Sequence, residues 1–103
     1  MKHFVITYRL SEGNAASWHD AIQNFITALD GDAEIAGRIS YRCMRIKDGP
    51  DYIHLAAAAD DEAIKLLQSR DYFQHYTEES KRVSGGGLEV RPLMPIAETR
   101  RVL

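Results

Sequence analysis

Histidine side chains titrate closer to neutral pH than any other group in this 103-residue chain, so they are the first candidates for acid–base chemistry. His54 lies mid-way along a strand-like segment, where it could be a base in a pocket or a hydrogen-bonded residue in an interface. His75 lies beside Tyr76 on a helical segment, where it could line a pocket rim or face solvent. His3 and His19 fall on polar faces. The candidate bases are therefore His54 and His75.

Metal chemistry is not expected from this sequence. No histidine has the HxxxH or carboxylate–histidine spacing of a metal motif. Cys43 is the only cysteine, so the chain offers no thiol pair and no internal disulfide. We therefore predict no metal and no cofactor, and we interpret Cys43 as a small hydrophobic residue buried in a strand.

Aromatic residues form the second group of candidates. Regularly spaced aromatic side chains are most often core residues, but they can also form a slot for a flat ligand. Five of them are predicted to point into the space between a sheet and its helices: Tyr8, Trp18, Tyr41, Phe73 and Tyr76. The spacing of these residues is compatible with both core packing and a ligand slot.

The composition is that of one soluble globular domain. Hydrophobic residues make up 45% of the chain and charged residues 27%, which is enough for a real core. The net charge is −2 with mixed signs, so neither nucleic acid nor a membrane surface is an expected partner. The single cysteine fits a reducing compartment, and the first residues lack the apolar core of a signal peptide. We therefore expect a cytoplasmic protein.

The first two elements are a strand and a helix. His3 to Leu10 alternates, with Phe4, Ile6 and Tyr8 on its apolar face. Asn14 is a good N-cap for a helix that continues to Asp30-Gly31-Asp32, where we expect Gly31 to adopt a left-handed cap.

A hairpin is predicted next. Arg38 to Ile46 and Tyr52 to Ala58 form two strands, joined by the turn Lys47-Asp48-Gly49-Pro50. Residues of the third strand alternate between two faces, with Ile53, Leu55 and Ala57 on one and Tyr52, His54 and Ala56 on the other.

The second helix is predicted in two pieces, from Ala58 to Gly87. Asp60 caps the first piece, and Asp71 with Gln74 forms a capping box for the second. The run Ser84-Gly85-Gly86-Gly87 ends the helix, and Leu88 to Arg91 forms a fourth strand limited by Pro92. The chain is therefore predicted to be a single α+β domain of order βαββαβ, ferredoxin-like, with a four-stranded antiparallel sheet.

Two helices on one face of such a sheet leave its other face open. The alternation assigns small and semi-apolar residues to the open face: Val5, Thr7, Ser40, Met44, Tyr52, His54, Ala56 and Ala58. A patch of this kind usually meets a partner, so we predict a homodimer through the open face. The C-terminal arm, about 93–103, is apolar, and we expect its first half to lie on this subunit or on a neighbour.

Three segments resemble the antibiotic-biosynthesis-monooxygenase-like group of the dimeric α/β-barrel superfamily: Gly37-Arg38-Ile39-Ser40-Tyr41-Arg42, Asp60-Asp61-Glu62-Ala63, and Ser69-Arg70-Asp71-Tyr72-Phe73 followed by Tyr76. The resemblance covers roughly residues 2–92. It implies a ferredoxin-like protomer, a barrel made by two sheets and a pocket between sheet and helices. Members include cofactor-free oxygenases of aromatic polyketides, quinol oxygenases, haem-degrading enzymes and many proteins of unknown role.

The haem-degrading branch of that family uses an asparagine, a tryptophan and a haem-ligating histidine. Alignment on Asp71-Tyr72-Phe73 places Tyr8, Leu67 and Thr77 at those three positions. Since none matches, haem degradation is not expected unless His75 ligates the haem from a shifted register.

The resemblance to the cofactor-free oxygenases implies a substrate that is deprotonated and then reduces oxygen itself. Tyr8 or Tyr41 could donate to the oxyanion, Arg42 could stabilise it if it points inward, and His54 or His75 could be the base. The predicted function is a monooxygenase-like activity on a small aromatic or quinol-type substrate. Alternatives are a non-catalytic small-molecule-binding or stress-response barrel and an interaction module. A pocket with a base beside it favours the first, and a pocket filled by Trp18 and Phe73 favours the others.

Overall fold

The computed structural model describes residues 1–103 and has the predicted βαββαβ order with a divided second helix. It is an α+β, ferredoxin-like fold. None of its helices combines the length and apolar character needed to cross a membrane. The elements are β1 (Lys2–Arg9), α1 (Ala15–Gly31), β2 (Ile39–Arg45), β3 (Asp51–Ala58), α2 (Asp61–Gln68), α3 (Asp71–Val83) and β4 (Glu89–Leu93).

The four strands form one antiparallel sheet in the order β2-β3-β1-β4. β1 and β3 are central, and their register places Ile6 opposite His54 and Tyr8 opposite Tyr52. β4 is an edge strand, which explains why it tolerates Pro92 within its length.

The faces of β3 are the reverse of those predicted. Directly paired residues point to the same side of a sheet, so Tyr52 and His54 lie on the helix-covered inner face with Tyr8 and Ile6. Ala56 and Ala58 share that face by alternation, and they are not on the open face. The outer face instead carries Ile53, Leu55 and Ala57 from β3, together with Val5, Thr7, Ser40 and Met44 as predicted.

Two helix N-termini have the predicted caps. The Asn14 side chain accepts from the Ser17 N–H at 2.8 Å, and the Asp60 side chain accepts from the Ala63 N–H at 2.8 Å. The end of α1 differs from the prediction, because Gly31 is its last helical residue and does not adopt a positive φ. Asp32 follows in extended backbone, and its N–H donates to the Leu29 carbonyl at 3.2 Å.

The break between α2 and α3 also differs from the prediction. Arg70, not Asp71, occupies the cap position, and it makes no side-chain capping bond. Its guanidinium donates to Asp32 at 2.9 Å and to Glu34 at 3.0 Å, which fastens the break to the end of α1. Asp71 is the first helical residue, where its carboxylate favours the positive end of the helix dipole. Gln74 donates to the Gln68 carbonyl and forms no capping box.

The core lies between the inner face of the sheet and the helices. It is mainly aromatic and aliphatic: Tyr8, Trp18, Phe25, Leu29, Ile35, Tyr52, Leu67, Tyr76 and Val83. Tyr76 is stacked between Phe25, with ring centroids 3.9 Å apart, and Trp18, at 5.7 Å. The arm beyond β4 is not part of this core, because Met94 and Ile96 are 79% and 86% exposed. Its first half therefore does not pack on its own subunit.

Candidate functional site

A cleft lies between the inner face of the sheet and the α2–α3 helices. It consists of two adjoining hollows of about 200 and 100 Å³. Ile6, Tyr41, Phe73 and Val90 line both hollows. Ligand pockets typically measure about 300–1,000 Å³, so the two hollows together reach the lower end of that range. The cleft is therefore suited to a small ligand.

The two hollows differ in polarity. In the larger one Gln68 is the only lining residue that is not hydrophobic. The smaller one contains polar side chains, among them His54, Tyr8, Tyr76, Thr77 and Ser80. No charged side chain lines either hollow, apart from whatever charge His54 can acquire. The cleft thus has an apolar end and an uncharged, hydrogen-bonding end.

A chain of hydrogen bonds passes through the polar end. The indole Nε1–H of Trp18 donates to the Tyr8 hydroxyl oxygen at 2.8 Å, and that oxygen lies 3.0 Å from His54 Nε2. The other ring nitrogen, Nδ1, lies 3.5 Å from the Tyr76 hydroxyl oxygen. If the Tyr8 hydroxyl donates to Nε2, the ring proton is on Nδ1 and faces Tyr76. With this placement of the protons, each of these four side chains has a hydrogen-bond partner.

Burial determines the protonation state of this site. It lowers the pKa of His54 to about 4, so the imidazole is neutral at neutral pH. Burial also raises the pKa values of Tyr8 and Tyr76 well above their ordinary value, with the Trp18 hydrogen bond partly opposing the shift at Tyr8. The same cause raises the pKa of Cys43 to about 11, so its thiol stays protonated. The site is uncharged before any ligand enters.

Tyr41 supplies a free donor. Tyr41 lines both hollows, and its hydroxyl makes no hydrogen bond within the chain. No side-chain polar atom is both fully buried and unpaired, so this hydroxyl is not fully buried. Burial raises the pKa of Tyr41 to about 12, which keeps the hydroxyl protonated. A ligand oxygen in the cleft could therefore accept from Tyr41.

Comparisons with known proteins bear on the fold. No protein-family model and no curated protein sequence matches the chain. Among solved structures, a candidate antibiotic biosynthesis monooxygenase from Caulobacter crescentus is 17% identical, with a TM-score of 0.76 over 93% of this chain and 90% of that one. SnoaB, a cofactor-independent oxygenase from Streptomyces nogalater, is 14% identical, with a TM-score of 0.76 over 97% of both chains. The chain has the antibiotic-biosynthesis-monooxygenase-like fold.

A third structure with this fold is a dimeric ferredoxin-like protein of unknown function from Jannaschia sp. CCS1. It is 20% identical to the chain, with a TM-score of 0.64 over 92% of this chain and all of that one. At these identities the likeness shows the monooxygenase-like fold alone.

Within the monooxygenase-like fold, five of the eight sequence-predicted site residues line the cleft: Tyr8, Tyr41, His54, Phe73 and Tyr76. Trp18 does not line it. Its side chain is 2% exposed and lies behind the cleft, where it stacks on Tyr76 and donates a hydrogen bond to Tyr8. The cleft is therefore not filled by Trp18, and Phe73 forms part of its wall.

His75 and Arg42 lie elsewhere. His75 lines a groove between α1 and α3, with Asn24, Tyr72 and Glu79. Arg42 is on the outer face of β2, because Tyr41 and Cys43 on either side of it point inward, and its Nη1 donates to the Leu103 carbonyl at 2.8 Å. Arg42 does not point inward, so it cannot stabilise an oxyanion in the cleft as predicted.

The hydrogen bonds that link Trp18, Tyr8 and His54 were not predicted from the sequence. The pair formed by His19 Nε2 and the Tyr52 hydroxyl, 2.7 Å apart, was not predicted either. These contacts join separate elements, and the only sequence signal for them is the β1–β3 register. The apolar character of both faces of β3 concealed that register.

Proposed function

We propose that this chain is a cofactor-independent oxygenase that acts on a small aromatic or quinol-type substrate. The observation that carries the proposal is the apolar cleft ending at a buried, neutral His54 that is hydrogen-bonded to Tyr8. The fold shared with SnoaB, which is a cofactor-independent oxygenase, supports the same activity.

The apolar hollow would hold the body of the substrate. Phe73, Ile6 and Leu67 offer surfaces against which a flat ring can pack, and burial of such a ring is favourable by about 25 cal/mol per Å² of apolar surface. The reacting oxygen or carbon would then lie at the polar end, near Tyr8 and His54. Water is excluded there because His54 is 2% exposed.

Proton removal would proceed through Tyr8. Its hydroxyl oxygen accepts the substrate proton while its own proton moves to Nε2 of His54, which becomes an imidazolium. The low pKa of His54 opposes this step in the empty cleft. A substrate anion beside the ring favours its charged form, because opposite charges stabilise each other more strongly in a dry site.

Oxygen then serves as the oxidant. The substrate carbanion transfers one electron to O₂, and the substrate radical and superoxide combine to form a C–O bond. The peroxide takes the proton from the His54 imidazolium. Loss of the second C–H proton, with cleavage of the O–O bond, leaves a carbonyl and releases water. The balance is R₂CH₂ + O₂ → R₂C=O + H₂O, so no external reductant is required.

Tyr41 would stabilise the negative charge that develops on the substrate oxygen. Its hydroxyl is free and protonated, so it can donate without first breaking another bond. Preorganised donors of this kind are often worth a factor of roughly 10²–10³ in rate.

We further propose that the chain forms a homodimer through the outer face of its sheet. Leu55 and Met44 are each 40% exposed on that face, and Leu93 is 43% exposed at its β4 side. A second copy would cover these side chains. The dimeric state of a ferredoxin-like protein with the same fold supports a dimer.

A non-catalytic small-molecule-binding barrel is the second candidate. It is favoured by the engagement of both His54 ring nitrogens with tyrosine hydroxyls, since no lone pair of the ring faces the cleft directly. In that case the hydrogen bonds would orient a ligand without moving a proton.

The deciding experiment measures O₂ consumption and quinone formation with 1,8-dihydroxyanthrone. We expect turnover by the wild-type protein and a loss in kcat/KM of roughly 10²-fold or more for both His54→Asn and Tyr41→Phe. His75→Ala is the matched control and should leave the rate unchanged, because His75 lies outside the cleft. Circular dichroism checks that each variant is folded. Saturable anthrone binding without oxidation above the buffer rate would favour the second candidate and refute the first.

A further inference from the structure

A further hollow, separate from the two that form the cleft and of about 220 Å³, lies at the β2 edge of the sheet beneath α1. It is distinct from the cleft, and His54 is the only residue that lines both. Its walls combine apolar and hydrogen-bonding side chains: His19, Ile22, Cys43, Met44, Arg45, Tyr52 and His54. No carboxylate lines it. The reaction proposed above makes no use of this hollow.

Arg45 gives the hollow a positive charge that nothing in the chain neutralises. None of the seven ion pairs of the structure includes Arg45. Its planar guanidinium carries several N–H donors in a geometry that matches a carboxylate. Because no carboxylate within the hollow offsets this charge, the hollow favours an anion.

The His19–Tyr52 pair adds a second donor. His19 Nε2 lies 2.7 Å from the Tyr52 hydroxyl oxygen. If Tyr52 donates to Nε2, then Nδ1 of His19 carries a free N–H. If Nε2 donates to Tyr52, then the Tyr52 O–H is free. Either arrangement leaves one donor of the pair available to a ligand.

We propose that this hollow binds a small organic carboxylate, whose charged group pairs with Arg45 and accepts from the His19–Tyr52 pair. The apolar side chain of Ile22 would contact the body of the ligand and favour an alkyl or aryl carboxylate over an inorganic anion. Because the ligand shares His54 with the cleft, it lies directly beside the residue that would accept the substrate proton. Binding itself does not depend on the oxygenase reaction.

The experiment is a binding titration followed by NMR of the histidine imidazole signals, with sodium benzoate as the probe. Benzamide is the neutral control of nearly identical shape. We expect benzoate to produce saturable shifts of the His19 and His54 signals, and benzamide to produce none in the same concentration range. Arg45→Gln should weaken benzoate binding by at least about tenfold, which corresponds to roughly 1.4 kcal/mol.

Arg100→Gln is the matched control, because it removes the same charge from the exposed C-terminal arm. It should bind benzoate as the wild-type protein does. The proposal is overturned if benzamide binds as well as benzoate, or if Arg45→Gln and Arg100→Gln bind benzoate equally well. It is also overturned if the His54 signal shifts without the His19 signal, because His54 lines the cleft as well and His19 does not. Anthrone oxidation can fail in the earlier experiment without changing any of these outcomes.

Discussion

His54 Nε2 lies 3.0 Å from the hydroxyl oxygen of Tyr8, a residue 46 positions away in the sequence. His54 is directly opposite Ile6, and Tyr8 lies two residues further along the same face of β1. The bond can form only when β1 and β3 pair in this register. The only fully buried histidine of the chain is therefore positioned by the two central strands of the sheet.

Tyr8→Phe is expected to destabilise the fold. The change removes the acceptor of the Trp18 indole N–H and the hydroxyl beside His54, so two buried polar groups lose a partner. Each such loss costs roughly 1–3 kcal/mol in the free energy of unfolding. Urea denaturation followed by tryptophan fluorescence measures the change.

Tyr52→Phe is the control for that prediction, because its hydroxyl bonds to the exposed His19 and water can replace it. It should lower the free energy of unfolding by less than Tyr8→Phe. If both substitutions lower the free energy of unfolding equally, the buried hydrogen bonds of Tyr8 stabilise the fold no more than the bond between Tyr52 and His19 does.

The stability of the protein should depend on the protonation of His54. Its pKa is about 4 in the folded chain, against an ordinary value of 6.5, so the unfolded chain binds the proton more tightly. The free energy of unfolding is therefore greatest above pH 6.5 and falls as the pH drops from 6.5 to 4, by on the order of 3 kcal/mol. Denaturation curves across this range measure the slope.

His54→Asn provides the comparison, since asparagine does not titrate. Its free energy of unfolding should vary much less between pH 6.5 and 4.5. The lowered pKa values of Asp32 and Glu79 affect the pH dependence of both proteins in the same way, because both carboxylates are present in each. Parallel curves for the wild-type protein and His54→Asn would contradict the prediction.

Gly85→Ala should weaken the turn that follows α3. Gly85 has a φ of +61°, and a Cβ there would lie 2.7 Å from the Ser11 side-chain oxygen. The left-handed backbone alone costs alanine roughly 1–2 kcal/mol. Gly31→Ala is the matched control, because Gly31 is helical and nothing lies within 4 Å of its Cβ position. Thermal unfolding should show a lower Tm for Gly85→Ala and no such decrease for Gly31→Ala. If the two variants have the same Tm, the prediction is wrong.

Leu55→Glu should prevent the proposed dimer from forming. Leu55 is 40% exposed on the outer face of a central strand, where a charge would be buried without a partner on association. Gln23→Glu adds the same charge on the exposed surface of α1 and should leave association unchanged. Sedimentation velocity separates monomer from dimer. Wild-type protein that remains monomeric at micromolar concentration would contradict the proposed interface.

Features set by local chemistry could be predicted from the sequence. Asn14 and Asp60 cap their helices because a capping side chain bonds to an N–H only three residues away. The element order followed from the alternating and helical patterns for the same reason. The prediction that Asp71 caps α3 was wrong. The neighbouring Arg70 occupies the cap position, because Asp32, which lies far away in the sequence, binds its guanidinium.

The candidate site was less accessible to sequence reasoning. Tyr8 and Phe73 were predicted to face the cleft because their strand and helix have clear apolar periodicity. Tyr41 was predicted to face it although neither side of its strand is strongly polar. His54 was placed on the wrong face because Ile53 and Leu55 are as apolar as Tyr52 and Ala56, so alternation does not select a side. The choice is made by the pairing of Tyr8 with Tyr52, which is a contact between distant parts of the chain.

Pro92 affects how copies of this chain can associate. It lies opposite Phe4 in β4, at the free rim of the sheet, and proline has no N–H to offer a further strand. Glu89 and Arg91 add charges along the same short strand. Together these residues hinder templated fibril growth from this rim.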